Sequence, residues 1–393
     1  MQPLKGITVV TLEHAVAAPF ATRQLADLGA RVIKVERPGV GDFARSYDSR
    51  VRGLASHFVW TNRSKESLTL DVKHPEAQKI LKKIIQEEAD VVVQNLAPGA
   101  SARLGLSCKE LRKIKPDIIV CDISGYGADG PYRDKKAYDL LIQSEAGFVS
   151  VTGTEETPSK AGISIADIAA GMYAYTNILA ALLHREQTGE GKHIDISMLE
   201  SLAEWMGFPL YYSFEGADPP RRAGASHATI YPYGPFPAGD QKTVMLGLQN
   251  EREWKMFCEQ VLLDPALFHD ERFNNNVKRV ESRSTLYKVI VEAFSRLTAE
   301  EVVKRLDAAG IANARVNSMH DLMSHPQLRA RNRWATVSTS EGPIPALLPP
   351  GSWEDDGPRM SPIPALGEHT DQILLNLGYG AEEISTLRAR GVI

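Results

Sequence analysis

Apolar residues recur at three- and four-residue intervals after Asp167, which predicts one long amphipathic helix. The recurring positions are Ile168, Met172, Tyr175, Leu179 and Leu182. The pattern places Asp167 just before the helix, where free N–H groups and the positive end of the helix dipole favour an ionised carboxylate. On this pattern alone, the favoured interpretation of Asp167 is an ordinary N-cap residue rather than a functional one.

The N-terminal half alternates between buried apolar runs and helical patterns. The runs predict strands over Ile7–Leu12, Arg31–Glu36 and Ser67–Asp71, with a helix over Pro19–Leu28 and a further strand that ends at Asn95. Strands that alternate with helices favour a mostly parallel sheet with helices on its faces. The sequence therefore predicts an α/β protein with a Rossmann-like large domain.

The second strand ends in an acid, Glu36, at the position where dinucleotide-binding folds hold a ribose. The loop after the first strand, EHAVAAP, contains no glycine and so lacks the G-x-G-x-x-G turn that admits a pyrophosphate. We therefore expect the Rossmann-like shape without a nicotinamide or flavin site.

The composition of the chain changes between residues 212 and 245, where proline, glycine and aromatic residues accumulate. This change predicts a large domain over residues 1–212, a linker and smaller α/β domain over 213–325, and a return segment over 326–393 that completes the large domain. Thr370 is the expected N-cap of the terminal helices, and Glu368 and His369 before it are interpreted as parts of a structural turn.

The overall composition excludes several classes of protein. The 393 residues are 43% hydrophobic and 24% charged with a net charge of -4, which is ordinary for a globular protein and gives no basic surface for nucleic acid. Three widely spaced cysteines form neither a disulfide framework nor a metal pattern. Without a signal peptide or a run of about 18 apolar residues, a cytoplasmic protein with no membrane segment is expected.

Polar and basic residues follow the predicted strand ends. They are Arg37, Lys73, Asn95, Arg103 and Lys136. Ligands of open parallel sheets bind at that edge, and guanidinium and ammonium groups suit a phosphorylated nucleotide such as the 3'-phospho-ADP of coenzyme A. For each residue considered alone, solvated surface is the favoured interpretation.

Three segments resemble the class III coenzyme A transferases, in the order in which that family carries them. They are G-x-x-x-A-D-x-x-A-G around Asp167, T-G-E-G-x-x-x-D-I-S-M-x-E after the long helix, and L-G-E-H-T-D near the C-terminus. Four N-terminal segments, VIKVERPGVGDFAR, LTLDVK, VQNLAPGASARLG and KKAYD, resemble the family's CoA-binding segments. The resemblance extends over nearly the whole chain.

The resemblance implies that Asp167 is a nucleophile that forms an aspartyl anhydride and then an aspartyl-CoA thioester. It implies coenzyme A as a substrate, without a metal, and an interlocked, ring-shaped homodimer. Carried over by position, the CoA contacts are Val16, Arg37, Leu70, Lys73, Asn95, Leu96, Arg103, Lys136 and Tyr138. Val16 stands where formyl-CoA transferase has a glutamine beside its nucleophile.

Two alternatives remain open at the level of sequence. The related α-methylacyl-CoA racemases use a histidine base where this chain has Tyr138, and a phenol is a poor base at neutral pH. The second alternative is a protein that binds CoA and catalyses no reaction. For a transferase, the resemblance favours small dicarboxylates such as succinate, mesaconate, itaconate or citramalate, and Arg222 and His227 are candidates to bind the distal carboxylate.

Overall fold

A six-stranded parallel sheet forms the centre of the first of two compact units. The structure is a computed structural model that describes residues 2–351 and 357–393. The strands are β1 (Thr8–Leu12), β2 (Arg31–Glu36), β3 (Lys65–Thr69), β4 (Val91–Gln94), β5 (Ile119–Ser124) and β6 (His193–Ser197). They lie in the order β3-β2-β1-β4-β5-β6, and every neighbouring pair is parallel. This arrangement confirms the expected α/β fold.

Helices connect these strands. In chain order they are α1 (Ala17–Asp27), α2 (Ser56–Thr61), α3 (Pro75–Glu87), α4 (Ala100–Arg103), α5 (Cys108–Ile114), α6 (Asp139–Glu145), α7 (Phe148–Val151), α8 (Ile165–Thr188) and α9 (Met198–Trp205). Helix α3 shows how local sequence determines where a helix begins and which side it buries. Pro75 fits the first turn, the His74 ring accepts a hydrogen bond from the Glu76 N–H, and the buried Ile80 and Ile84 lie one turn apart.

The core on one face of the sheet combines the strands with the end of the chain. Apolar residues of β1, β2 and β4 pack with α3 and with α18 (Thr370–Asn376) and α19 (Ala381–Ala389). The last two residues, Val392 and Ile393, are buried in the same cluster. The first unit comprises Met1–Gly147, Ala161–Met206 and Gln327–Ile393.

The second unit comprises Phe148–Lys160 and Gly207–Pro326. An antiparallel sheet of β7 (Tyr233–Pro237), β8 (Thr243–Gly247) and β9 (Ala312–Arg315) packs with helices around the buried Trp254, Phe257 and Phe294. The α-helices of this unit beyond residue 206 are α10 (Gly207–Tyr212), α11 (Glu251–Met256), α12 (Ala266–His269), α13 (Asn276–Glu281), α14 (Arg283–Phe294), α15 (Ala299–Ala308) and α16 (Met319–Met323). Helix α17 (Pro326–Ala330) begins at the end of this unit. The strands β10 (Trp334–Val337) and β11 (Ile344–Leu347) form an antiparallel pair in the first unit.

Several predicted boundaries are wrong by about two residues. The first helix begins at Ala17 rather than Pro19, and the third strand ends at Thr69 rather than Asp71. Thr370 is not the N-cap of α18, because His369 holds that position. The Thr370 hydroxyl instead accepts a hydrogen bond from the N–H of Thr69, at 3.0 Å. A tertiary contact with β3 therefore replaces the expected local cap.

One helix, α8, is long and apolar enough to cross a membrane by length and composition alone. The sequence pattern did not lead us to expect such a segment. Core helices of globular proteins satisfy the same criterion, and the buried positions of α8 include Ala170, Gly171 and Ala174. The helix packs against α1 within the first unit.

Candidate active site

Asp167 lies in the first turn of α8, as its third residue. Ser164 holds the N-cap position, and its side chain makes no capping hydrogen bond. The Oδ1 atom of Asp139, at the start of α6, accepts hydrogen bonds from the N–H groups of Ala166 at 2.8 Å and Asp167 at 3.3 Å. The expected placement of Asp167 before the helix is therefore wrong, because a distant carboxylate takes the N–H groups that a local cap would use.

The pKa of Asp167 is raised from its usual 3.8 to about 7, first by burial and then by the charge of Asp139. The sequence pattern predicted a carboxylate kept ionised by the helix dipole, but desolvation of the charged form outweighs that effect here. Near neutral pH the side chain is thus partly protonated. Its ionised form is more basic than an ordinary aspartate, which suits attack on a carbonyl carbon.

The N-terminal part of α8 lies against the start of α1. A Cβ atom built at Gly171 would be 2.7 Å from the carbonyl oxygen of Ala17 and 3.0 Å from the Phe20 ring. Only glycine permits this approach, which accounts for the glycine in the A-D-x-x-A-G pattern. Because a loop of only four residues separates α1 from the end of β1, Asp167 is held near the carboxyl edge of the parallel sheet.

A buried network of charges fixes the loop after β1. Glu13 Oε1 accepts hydrogen bonds from Lys65 Nζ at 2.6 Å and Lys34 Nζ at 3.3 Å, and all three side chains are fully buried. Burial opposes ionisation of Glu13, but Lys65 and Lys34 outweigh it and hold its pKa at about 2. Lys34 also donates to Asp42 at 2.7 Å, and Asp42 accepts the N–H of Ala15 at 3.0 Å. These buried charge pairs therefore hold the loop after β1 in place.

The strand order brings the predicted CoA contacts to one edge of the sheet. Arg37 follows β2, Lys73 follows β3, Asn95 follows β4, and Lys136 lies in the loop after β5. These strands are close neighbours in the sheet, so their carboxyl ends are adjacent. The side chains of Arg37, Lys73, Arg103 and Lys136 are all exposed. They are therefore accessible to an anionic ligand.

Three other predicted contacts have occupied or buried side chains. Val16 and Leu70 are 3% and 0% exposed. The Asn95 amide donates to the carbonyl of His14 and accepts its N–H, both at 2.9 Å. The Leu96 N–H is held by Gln94 Oε1 at 2.7 Å.

Two tyrosines flank the acidic pair. Tyr138 immediately precedes α6 and is 71% exposed. The pKa of Tyr47 is raised by burial and then by the charges of Asp42 and Asp167. The phenol of Tyr47 is therefore close enough to respond to the ionisation of Asp167.

Arg222 and His227 lie in the second unit. Arg222 donates to the carbonyls of Thr154, Ser150 and Glu155, which uses three of its five N–H donors. His227 Nδ1 accepts the N–H groups of Thr229 at 3.2 Å and Ile230 at 3.0 Å, so the neutral ring carries its proton on Nε2. Burial and then Arg283 lower the pKa of His227. The ring thus presents one N–H donor.

Other candidate groups are occupied within the fold. Glu36 accepts hydrogen bonds from Arg45 and Ser67 and is 2% exposed, so it does not present a free carboxylate to a ribose. Glu368 accepts the N–H of Ala365, and His369 accepts that of Ser67. In residues 2–351 and 357–393, no group of three or more His, Cys, Asp or Glu side chains is arranged to hold a metal ion.

Asp139 is the main residue at this site whose role the sequence did not indicate. It is 28 residues from Asp167, and no periodic pattern connects two helix starts that meet only in the folded chain. The polar pair Tyr138-Asp139 after a glycine-rich loop was the available signal.

Comparison with known proteins assigns the chain to a family. Residues 4–370 match the model of CoA-transferase family III. Succinyl-CoA:glutarate CoA-transferase of Mus musculus is 33% identical over all of this chain and 91% of its own length. Succinate–glutarate CoA-transferase of Agrobacterium fabrum is 33% identical over 95% of this chain and 96% of its own. A CAIB/BAIF family protein from Brucella suis superposes with a TM-score of 0.84 at 31% identity, over 95% of this chain and 99% of its own. The chain belongs to CoA-transferase family III, and it is a CoA transferase.

Proposed function

We propose that this enzyme transfers coenzyme A from an acyl-CoA donor to a small dicarboxylic acid, with Asp167 as the nucleophile. The observation that carries this proposal is the position of Asp167. Its carboxyl group is desolvated and has a pKa of about 7, at a carboxyl edge where four exposed cations follow neighbouring strands. An anionic nucleotide bound by those cations places its thioester arm at the same edge.

The chemistry proceeds through three carbonyl centres: the donor acyl group, the Asp167 carboxyl group and the acceptor acyl group. The Asp167 carboxylate attacks the donor thioester, the CoA thiolate leaves, and an aspartyl anhydride forms. The thiolate then attacks the aspartyl carbonyl, which releases the donor acid and leaves an aspartyl-CoA thioester. The acceptor carboxylate attacks that thioester and the thiolate leaves again. Attack of the thiolate on the acceptor's acyl carbonyl releases the new acyl-CoA and restores Asp167.

Glutarate and succinate are the first acids to test, because two similar transferases carry them in their names. A dicarboxylate has a distal charge that needs a partner. The Nε2–H of His227 and the two remaining donors of Arg222 are candidates in the second unit. A hydrogen bond to a charged group is worth about 1.5–3 kcal/mol, or roughly ten- to a hundred-fold in specificity.

A homodimer is part of the proposal. Large apolar side chains are exposed along α10 and just after it, at Phe208, Leu210, Tyr211 and Phe214. Contiguous exposed apolar residues are typical of surfaces that another chain covers. In the interlocked ring that the family resemblance implies, the second chain would cover this surface.

Trapping the covalent intermediate tests the nucleophile. The enzyme is incubated with succinyl-CoA and hydroxylamine, and the peptides are analysed by mass spectrometry. We expect a hydroxamate on the peptide that contains Asp167, and none in an Asp167→Asn protein with an unchanged thermal unfolding temperature. Wild-type turnover in Asp167→Asn would exclude Asp167 as the nucleophile.

A panel of acids tests the acceptor class. Glutarate and valerate, or succinate and butyrate, have equal chain lengths and differ in the distal carboxylate. We expect the dicarboxylates to be preferred by at least ten-fold in kcat/KM. Equal rates within each pair would contradict the dicarboxylate assignment. Exchange of the α-proton of a 2-methylacyl-CoA in D₂O without transfer would instead favour the racemase alternative.

A further inference from the structure

The side chain of Gln143 joins two parts of the Asp167 site. It lies on α6 and is fully buried. Its Nε2 atom donates to Asp139 Oδ2 at 2.6 Å, and its Oε1 atom accepts the N–H of Ala161 at 2.9 Å. Ala161 begins the four-residue segment Ala161–Ser164 that leads into α8. One amide therefore contacts both the capping carboxylate and the chain that enters the helix.

The two oxygens of Asp139 have separate tasks. Oδ2 faces Gln143, and Oδ1 faces the N–H groups of Ala166 and Asp167. An N–H donor on Oδ2 fixes the rotation of the Asp139 carboxylate. Without that donor, Oδ2 would be left with an unmet hydrogen bond, and the Asp139 carboxylate would turn. The hydrogen bonds to the first turn of α8 depend on that orientation.

We propose that Gln143 is a positioning residue for the nucleophile: through Asp139 and the Ala161–Ser164 segment, its amide sets where the first turn of α8 holds Asp167. The inference rests on the proposed role of Asp167. An amide suits this task because it donates and accepts at once and does not titrate in the working range. A displacement of about 1 Å at a reacting group lowers the rate by about a hundred-fold, so the loss of these two hydrogen bonds of Gln143 has a measurable effect.

The described groups that titrate or carry charge near these hydrogen bonds lie on α6, α8 and α9 and at two tyrosines. On α9, which packs against α6, Glu200 and Glu204 are exposed. Asp139 is on the same helix, Asp167 is on α8, and Tyr138 and Tyr47 flank the acidic pair. Glu145, also on α6, is exposed and paired with Lys135. A carboxyl group introduced at position 143 would therefore interact first with Asp139.

Two substitutions separate positioning from simple stability. In Gln143→Met, both hydrogen bonds are lost, and we expect kcat to fall by about 10- to 100-fold at every pH, with the KM for succinyl-CoA within two-fold of wild type. In Gln143→Glu, a protonated carboxyl group can still donate to Asp139 and accept from Ala161. Two carboxylates in contact do not both ionise freely, so one proton is held between them at low pH and is lost as pH rises. We expect near wild-type kcat at pH 6 and at least a ten-fold deficit at pH 9.

Gln94 offers a matched control. Its amide donates to Asp122 at 2.9 Å and accepts the Leu96 N–H at 2.7 Å, which is the same arrangement at a different loop. For Gln94→Glu we expect a change in the KM for succinyl-CoA and no pH-dependent deficit in kcat. Thermal unfolding of each variant reports the structural effect separately.

The outcomes distinguish this inference from the proposed function. If wild-type enzyme gives no hydroxamate at Asp167, the proposed nucleophile is wrong. If wild-type Asp167 is trapped but Gln143→Met keeps kcat within three-fold, the positioning role is overturned. A ratio of Gln143→Glu to wild-type kcat that stays constant between pH 6 and 9 overturns it as well, because a purely structural defect does not follow the ionisation of the introduced carboxyl group.

Discussion

The carboxylate of Asp139 caps the helix that carries Asp167, so that one acid positions another. The Oδ1 atom of Asp139 accepts the backbone N–H of Asp167 at 3.3 Å and that of the residue before it at 2.8 Å. The same negative charge adds to burial in raising the pKa of Asp167 to about 7. One side chain thus contributes to both the position and the basicity of the candidate nucleophile.

The first prediction concerns Asp139→Asn. An asparagine oxygen can still accept the two N–H groups, but the negative charge is removed. We expect the pKa of Asp167 to fall while staying above 3.8, because burial is the larger cause of the shift. The acid limb of kcat/KM against pH should move to lower pH. Asp134→Asn, at an exposed acid that pairs with Arg133, is the control and should leave the limb in place.

A second prediction follows from the same pKa and concerns stability. Between pH 3.8 and about 7 the folded state holds a proton on Asp167 that the unfolded state has released. Stability from this group therefore decreases as pH rises through that window. Asp167→Asn should be more stable than wild type above pH 7, by at most about 4 kcal/mol, and the two should converge near pH 4. Urea unfolding at pH 4, 6 and 8 measures this, and a difference that does not change with pH would contradict it.

The parallel sheet was predictable because its buried strands are short runs rich in β-branched residues, as in β1 and β2. The edge with the basic residues followed from the same reasoning, since strand ends in a parallel sheet share one side. The cap on α8 was not predictable, because Asp139 meets Asp167 through tertiary packing. Ionisation of Asp167 was mispredicted for a related reason: a sequence shows the helix start but not the burial that surrounds it.

The third prediction concerns the exposed cations. Alanine at Arg37, Lys73, Arg103 or Lys136 should raise the KM for the acyl-CoA by roughly 5- to 30-fold, corresponding to about 1–2 kcal/mol for a partly screened charge contact. The KM for the acceptor acid should change little. Lys113→Ala, in the last turn of α5, where the lysine pairs with Glu110, is the control. Steady-state kinetics at two salt concentrations test this, and an equal rise in both KM values would indicate a folding defect instead.

The fourth prediction concerns the charges buried beneath the site. In Glu13→Gln the ammonium groups of Lys34 and Lys65 remain buried without their shared carboxylate. Breaking one side of a buried pair in this way costs about 3–5 kcal/mol of unfolding free energy. Adding Lys65→Met should recover part of the loss, because one unpaired charge is then removed. Urea denaturation of the single and double variants measures the coupling, and strictly additive losses would rule out the network as described.

The last prediction concerns the contact between α8 and α1. In Gly171→Ala the new methyl group would lie 2.7 Å from the carbonyl oxygen of Ala17, and a backbone atom cannot move aside as a flexible side chain can. The helices must separate, at about 1–3 kcal/mol of unfolding free energy, in spite of the higher helix propensity of alanine. Because Asp167 is one turn away on α8, kcat should fall by up to about a hundred-fold, more than the loss of stability alone explains. Gly357→Ala, where an added Cβ atom meets nothing within 4 Å, is the matched control and should change neither quantity. An active Gly171→Ala enzyme with wild-type kcat would show that the nucleophile tolerates displacement of its helix.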